Sequence, residues 1–521
     1  MSGIDILLVY PRLGSQDTVL RDMPLSLLYA AADSVKNGYR VEILDCRVYP
    51  NHWKERLDAI LQRGCTLVGL SVMTGYPITT SLEISRYVRD TYKIPIVWGG
   101  PHPTILPEQT LSNPHIDFII RDWGSEPLFR LISSLNGRGP DLADIVGLGF
   151  KKNGNPILNP ATCQFEILDY RTIPYHFVEI DSQHYKRLQG DQCIFPIYTA
   201  VGCPYKCAFC MSPSVYEKIK GKKWIPFPID DVIGHIEYLL GKYRIDRLQI
   251  YDDDSFVDLG RMREFFSKYI DRGFEKKLRL DFRGVRINEL DRMDDAMLEL
   301  MAGARVEIMA IGVESGSDDT LKRMNKGITV EQILRVNRRL SRYPSMRPHY
   351  NILCGTPGEN YEDLIRTKEL MVRLVEENPS CLVGSAGDWK PYPGSAMTET
   401  AVRDYGLKLP DTLEDWARID SLDADKIVHP WYTKKMDNYI KLLQIAGIVL
   451  DQKAEMVSAE VKSRWSFLNI LSWASRLYRP ILALRLRYNL SGFLIEYPLR
   501  TYLMKLIGRL HTIKNGQQSS P

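Results

Sequence analysis

Cysteine is scarce in this chain, nine among 521 residues and an odd number, which excludes a fold stapled by a regular disulfide framework. Net charge is nearly absent too. Lys and Arg exceed Asp and Glu by only 68 to 64, a formal +4, too little to argue for nucleic acid, and no nucleic-acid-binding fold is visible. The amino terminus, MSGIDILLVYPRLG, lacks the basic segment and cleavage site of a signal peptide and reads directly as a strand. No uncharged apolar run reaches the ~18 residues needed to span a bilayer. Short-period repeats and low-complexity segments are missing as well. What remains is a globular composition, 44% apolar and 25% charged, in a chain too long for one ordinary domain. The expectation is a cytoplasmic protein of two or three domains, in which clustered thiols serve as metal ligands or catalysts.

Residues 1–140 alternate short apolar runs with amphipathic helices. DILLVYP, YRVEILD, CTLVGLSV, IPIVWGG and IDFIIRD read as strands, with PLSLLYAAADSVKNG, NHWKERLDAILQRG, TTSLEISRYVRDTY and SEPLFRLISSL as helices. Continuous apolar strands are buried on both faces, so this is α/β, a doubly wound parallel sheet that binds ligands at the carboxyl ends of its strands. Those ends carry Pro11, Ser71 with Thr74, Gly99-Gly100, and Gly124-Ser125-Glu126. Residues 141–193 read as a connector with a hairpin signal at Asn153-Gly154. Over 194–400 the alternation restarts, with strands expected at 195–200, 246–251, 278–283, 306–311, 348–353 and 381–386. Six such units predict a partial (β/α)6 barrel with its chemistry at the strand C-termini. Residues 401–521 read as a mainly helical region with a basic amphipathic tail.

Against the general scarcity, YTAVGCPYKCAFCMSPS at 198–214 packs Cys203, Cys207 and Cys210 into eight residues. Closed structural zinc sites use four ligands, and no fourth Cys or His lies nearby. Cys193, ten residues upstream across a strand, leaves a four-cysteine zinc site open as an awkward alternative. Three thiolates on one loop suit three irons of a [4Fe–4S] cubane and leave the fourth iron open for chemistry.

CPYKCAFC at the end of a first barrel strand resembles the radical S-adenosylmethionine (SAM) superfamily signature. The resemblance implies a [4Fe–4S] cluster on Cys203, Cys207 and Cys210, with SAM chelated on the open iron and cleaved to a 5′-deoxyadenosyl radical. LQIYDDDSFVD then resembles the acidic segment ending the second strand, which places Asp252 and Asp253 near the methionyl amine. The resemblance also offers Phe209, inside the signature, as a SAM contact. It gives Arg283 of FRGVRIN as the partner of the SAM carboxylate, with Arg286 competing, and Glu314 of IGVESGSDD as a ribose or amine partner. NILCGTPGENYEDL and KPYPGSAM match the fifth- and sixth-strand segments, so the likeness covers about 200 residues.

A doubly wound domain ahead of such a barrel resembles the cobalamin-dependent, class B branch of the superfamily. The resemblance implies that Ser71, Thr74, Gly99, Gly100, Gly124 and Glu126 line a cobalamin site, small residues letting the nucleotide tail run close to backbone. One departure matters: DCRVYPN at 45–51 lacks the histidine of the Asp-x-His-x-x-Gly loop, so cobalamin is expected base-off, and His52 reads as a helix-start surface residue. From Val461 to Lys514 ten Lys or Arg face one acid, Glu496, interleaved with aromatics. This suggests peripheral contact with a membrane, or a helix packed on the barrel.

The function these features imply is a radical SAM methyltransferase acting at an unactivated carbon, or phosphorus, of a small-molecule or lipid substrate, with an electron donor such as ferredoxin or flavodoxin. Cyclisation or carbon–carbon coupling on the same scaffold is the alternative, and a non-catalytic metal-binding protein is the reading from another class.

Overall fold

A computed structural model describes residues 3–14, 17, 22–161, 165, 167–178, 185, 192–217, 222–419, 429–453, 467–494 and 496–498. The first sheet comprises β1 (Ile4–Tyr10), β2 (Val41–Asp45), β3 (Cys65–Ser71), β4 (Ile96–Gly99), β5 (Phe118–Ile120), β6 (Leu148–Lys152) and β7 (Asn155–Leu158), in the order β2-β1-β3-β4-β5-β6-β7. The first five are parallel, and the helices between them cover both faces, giving two separate apolar cores. The hairpin β6–β7, which the sequence places in the connector, pairs antiparallel onto β5 and extends this sheet to residue 158. Its turn works because Asn153 and Gly154 both take positive φ, 53° and 80°. The chain reverses its strand order at β1, and the crevice there is the expected ligand position.

The second sheet is the open barrel. After β8 (Ile194–Ile197), a two-stranded ribbon of β9 (Ala200–Gly202) and β10 (Trp224–Pro226) interrupts the alternation. There follow β11 (Arg247–Ile250), β12 (Arg279–Arg286), β13 (Val306–Glu314), β14 (Arg347–Cys354), β15 (Leu382–Val383) and β16 (Gly387–Asp388). The order is β15-β14-β13-β12-β11-β8, all parallel, with β16 pairing the end of β14. The expected sixth strand, 381–386, is thus broken in two. Helix Lys434–Val449 packs there so closely that a Cβ on Gly447 would strike Gly384 and Ser385.

The carboxyl-terminal region is helical as expected, and it splits its allegiance. Leu413, Trp416, Ala417 and Ile419 join the core of the first domain, whereas helix Lys434–Val449 covers the barrel and carries helix Phe467–Arg487 on its outer side. No helix among the described residues is long and apolar enough to cross a membrane.

The connector is fixed by a buried histidine. His235, on helix Ile229–Lys242, meets Tyr175 Oη at 3.0 Å and stacks on Tyr170 at 5.1 Å. Burial pushes its pKa down to about 3, below the ordinary value near 6.5, so unfolding takes up a proton between those limits. The stability its neutral ring contributes is present above about pH 6.5 and lost as pH falls toward 3. We expect His235→Gln to flatten the fall of unfolding free energy between pH 6.5 and 4 by roughly one proton, about 1.4 kcal/mol per pH unit. Urea unfolding at stepped pH checks this, and parallel slopes for the two proteins would refute it.

Candidate active site

The cysteine loop leaves the barrel where β8 ends, and one carboxylate sets the exit. Thr199 N (2.7 Å) and Ala200 N (3.0 Å) donate to Asp252 Oδ1, and Thr199 Oγ1 donates to Oδ2 at 2.5 Å. Complete burial pushes this carboxyl up to about 6 despite the donors. At Gly202, φ 83°, the chain passes so near Lys223 that a Cβ would collide with its carbonyl. Cys203, Cys207 and Cys210 follow as free thiols, while Cys193 lies at the opposite end of β8. Backbone bonds from Ala208 N to Met324 O and from Met397 N to Ala208 O, both 2.8 Å, clamp the loop from two sides.

Donors face two of the sulfurs. Arg286 Nη1 stands 3.1 Å from Cys207 Sγ, and Ser212 N stands 3.4 Å from Cys210 Sγ. Burial pushes the Cys203 thiol up to about 12 and raises that of Cys210, so a cationic partner is needed to draw off their protons. Among the described residues no three His, Cys, Asp or Glu side chains converge on a single metal-ion position. Soft sulfur ligands on one loop, with N–H groups turned toward sulfur, fit the thiolates of an iron–sulfur cluster, whose charge such donors offset.

The three consecutive aspartates take different directions. Asp252 is absorbed by the backbone as described. Asp253 is open to the cleft and accepts from Tyr216 Oη at 2.7 Å, yet the surrounding protein still desolvates its carboxyl and raises its pKa. Asp254 is buried beside the buried Glu289; desolvation, then the Glu289 charge, hold its carboxyl far above the usual range, so the pair retains a proton. Tyr205 Oη donates to Glu289 at 2.7 Å and so ties the pair to the cysteine loop.

Of the two candidate arginines, Arg283 faces the cleft, 3.8 Å from Asp22 and 5.6 Å from the centre of the Tyr251 ring. Arg286 is buried and committed: besides Cys207 it donates to Lys326 O at 2.6 Å and lies 3.8 Å over Tyr205. Glu314 ends β13 at φ 66°, its carboxylate 2.8 Å from Lys326 Nζ, and both head groups lie against Gly312, where a Cβ would make them shift. A non-glycine residue held left-handed at a strand end is the kind of strain that functional sites retain. Phe209 is half-buried, 5.5 Å from Lys326 Nζ.

In the first domain a cavity of about 410 Å3 opens at the switch in strand order, lined by Ser71, Gly99, Gly100, Gly124 and Glu126. Thr74 is not on its wall. Its buried hydroxyl turns inward to His102 Nδ1 at 3.0 Å. Gly99 and Gly124 keep the slot open, the nearest atoms to an added Cβ lying 3.8 and 3.7 Å away, while at Gly100, φ 99°, Val72 O would be only 2.9 Å from one. A slot walled by bare backbone fits a slender nucleotide tail. Sequence reading missed Tyr29, Asp33, Trp123 and Tyr198, which also line it. Tyr198 follows β8 and meets Tyr29 edge-on at 5.3 Å, so the cavity extends to the barrel rim. No local motif announces that contact. Where the Asp-x-His loop would place its histidine, Arg47 is buried in a two-point pair with Asp45, 2.9 and 2.7 Å, and lies 4.1 Å over Tyr10. His52 precedes helix Trp53–Leu61 and is exposed.

Models of two families match in tandem: the B12 binding domain over residues 20–132 and the radical SAM superfamily over 197–371. An uncharacterized methyltransferase of Pyrococcus horikoshii is 24% identical over 384 residues, 73% of this chain and 78% of that one. Cytidylyl-2-hydroxyethylphosphonate methyltransferase of Streptomyces wedmorensis is 23% identical with the same coverages, 73% and 78%. Among solved structures, the radical SAM methyltransferase TsrM from Kitasatospora setae superposes with TM-score 0.61 at 20% identity, covering 79% of this chain and 80% of that one. The cobalamin-dependent radical enzyme OxsB superposes with TM-score 0.69 at 17% identity, covering 98% and 75%. This chain therefore belongs to the radical SAM enzymes that carry a B12-binding domain. Those domains imply a [4Fe–4S] cluster, SAM and cobalamin as its cofactors.

Asp252→Ala would strand two buried N–H groups and a hydroxyl, and we expect it to lower the unfolding free energy by ~2–5 kcal/mol. Asp252→Asn keeps one acceptor oxygen and should cost less. Urea unfolding of both variants tests the order, and equal losses would mean that the hydrogen bonds are not what holds the exit of β8.

Proposed function

We propose that this enzyme transfers a methyl group to an unactivated carbon, or phosphorus, of a small-molecule or lipid substrate. The observation that carries the reading is that Tyr198, five residues before Cys203, lines the first-domain cavity and meets Tyr29 there, so the cavity reaches the strand end from which the cysteine loop departs. When bound, the cluster with SAM supplies one-electron chemistry and cobalamin supplies a methyl carrier. Cys203, Cys207 and Cys210 would hold the cluster, with Arg286 and Ser212 N offsetting charge on two of the sulfurs. Asp253, Arg283, Glu314 and Phe209 would orient SAM: a carboxylate for the amine, a guanidinium for the carboxylate, a ring for the adenosine edge. Asp252 would act through Asp253 and the cysteine loop by fixing the strand ends that carry them. Ser71, Gly99, Gly100, Gly124 and Glu126 would hold cobalamin, and Thr74 would brace that loop through His102. With Arg47 locked to Asp45, no imidazole is offered to cobalt from that position. Reducing equivalents would come from a ferredoxin or flavodoxin.

The test is turnover of anaerobically reconstituted enzyme with methyl-labelled SAM, first on hydrophobic candidate substrates. We expect 5′-deoxyadenosine together with a product heavier by one methylene and carrying the label. Cys207→Ala should abolish 5′-deoxyadenosine while leaving the cobalamin absorbance of the loaded protein in place. A product formed with 5′-deoxyadenosine but without added mass would overturn methyl transfer in favour of cyclisation or coupling.

Arg283→Gln is expected to raise KM for SAM about tenfold or more, the loss of one charge-assisted contact, with iron content and melting temperature unchanged. An unchanged KM would remove Arg283 from the SAM site.

A further inference from the structure

Helix Phe467–Arg487 packs on helix Lys434–Val449 with one side only. Leu482 and Leu486 are buried, and Arg479 Nε donates to Val449 O at 2.9 Å. The opposite side carries Trp473 (65% exposed), Leu477 (57%), Ile481 (52%), Leu484 (55%) and Tyr488 (58%), and Phe493 (72%) lies just beyond the helix end. The helical spacing of four, four, three and four puts those five residues within about a quarter of the circumference. Ordinary surfaces scatter such residues singly, so a continuous row marks a face that meets an apolar phase.

We propose that this face is an interfacial anchor on an anionic lipid bilayer, a feature independent of the reaction the enzyme catalyses. Three observations choose a bilayer over a protein groove. The exposed Arg476 and Arg487 border the row on the same side, as cationic groups at headgroup depth would. Between Val461 and Lys514 ten Lys or Arg face a single acid, and that acid, Glu496, is already paired with Arg485 at 3.1 Å. Trp473 and Tyr488 stand at the two ends of the row, with Phe493 just past it, and aromatic rings favour the membrane–water boundary. The helix lies on the bilayer and does not cross it, because its arginines and Pro480 interrupt any long apolar stretch.

Flotation of the full-length holoenzyme with phosphatidylcholine vesicles, with and without phosphatidylglycerol, tests the proposal. We expect binding to the mixed vesicles, weakened by salt and weak on phosphatidylcholine alone. Leu477→Glu with Leu484→Glu should reduce it at least tenfold without changing the melting temperature, since both positions are exposed, and Arg487→Glu alone should reduce it severalfold. Absence of flotation by the parent protein, or flotation equal in parent and variants, would overturn the proposal. So would a doubled mass by light scattering that the double variant reverses without any vesicle binding, because the row would then cover a second copy. Flotation acquired only after removal of residues 499–521 would likewise overturn it, because the chain would then be covering its own helix.

Discussion

The carboxylate of Asp252 is the point on which the catalytic rim depends. A parallel strand must hand its backbone groups to something when pairing stops, and a buried orphan costs about as much as a lost hydrogen bond. Here β8 ends at Ile197, six residues before Cys203, and Asp252, two residues past the end of β11, supplies the acceptors. Removing this side chain from water is unfavourable enough to push its pKa to about 6, so the three donors stabilise a group that would otherwise not be there. Fixing it fixes its neighbours. Asp253 is turned to the cleft and Asp254 inward to Glu289, because consecutive residues of an extended segment alternate in direction.

Sequence reasoning went furthest where a local pattern dictates structure. Every strand it placed in the first domain and the first five in the barrel are found within a residue or a few of their expected bounds, because long apolar runs admit little else. The glycines Gly99, Gly100 and Gly124 were legible as a strand-end pocket for a similar reason, since a doubly wound sheet opens at its strand ends. What escaped was relational. Nothing in VMTGYP says that the Thr74 hydroxyl turns away from the cavity toward His102, twenty-eight residues on. Nothing in FRGVRIN says which arginine is buried, and the structure has Arg286 claimed by Cys207, Lys326 and Tyr205. The hairpin at 148–158 was visible as a hairpin but not as the edge of the first sheet, since pairing partners are not written in either strand. Most of the basic tail falls outside the described residues, and only its helix can be weighed against the sequence.

The electrostatics of the cleft also separate by position. Groups near the cysteine loop are arranged in neutralised sets: Asp254, desolvated beside Glu289, is held toward its neutral form, and Arg286 faces sulfur. Glu314 is matched by Lys326. Groups farther toward the first domain, Asp22, Asp253 and Arg283, are more open, with Arg283 and Asp22 only loosely paired at 3.8 Å. Charges that are already compensated hold shape, whereas those left half-solvated can exchange a partner for a ligand at modest cost.

The open barrel explains why the two halves stay together. With strand order running from β15 to β8, β8 pairs only with β11 among the described residues and presents an edge. Edges of this kind need cover. Met23, Leu25, Leu28 and Tyr29 of the first domain supply it, packing in the same core as Phe195 and Ile197 of β8. In return Leu413, Trp416 and Ile419, from beyond the barrel, pack into the core of the first domain. Each half is therefore buried in the other's apolar interior, and hinging them apart would expose several large side chains at about 1.5–3 kcal/mol apiece. That exchange sets the separation of Tyr29 and Tyr198, which come from different halves and share the cavity wall.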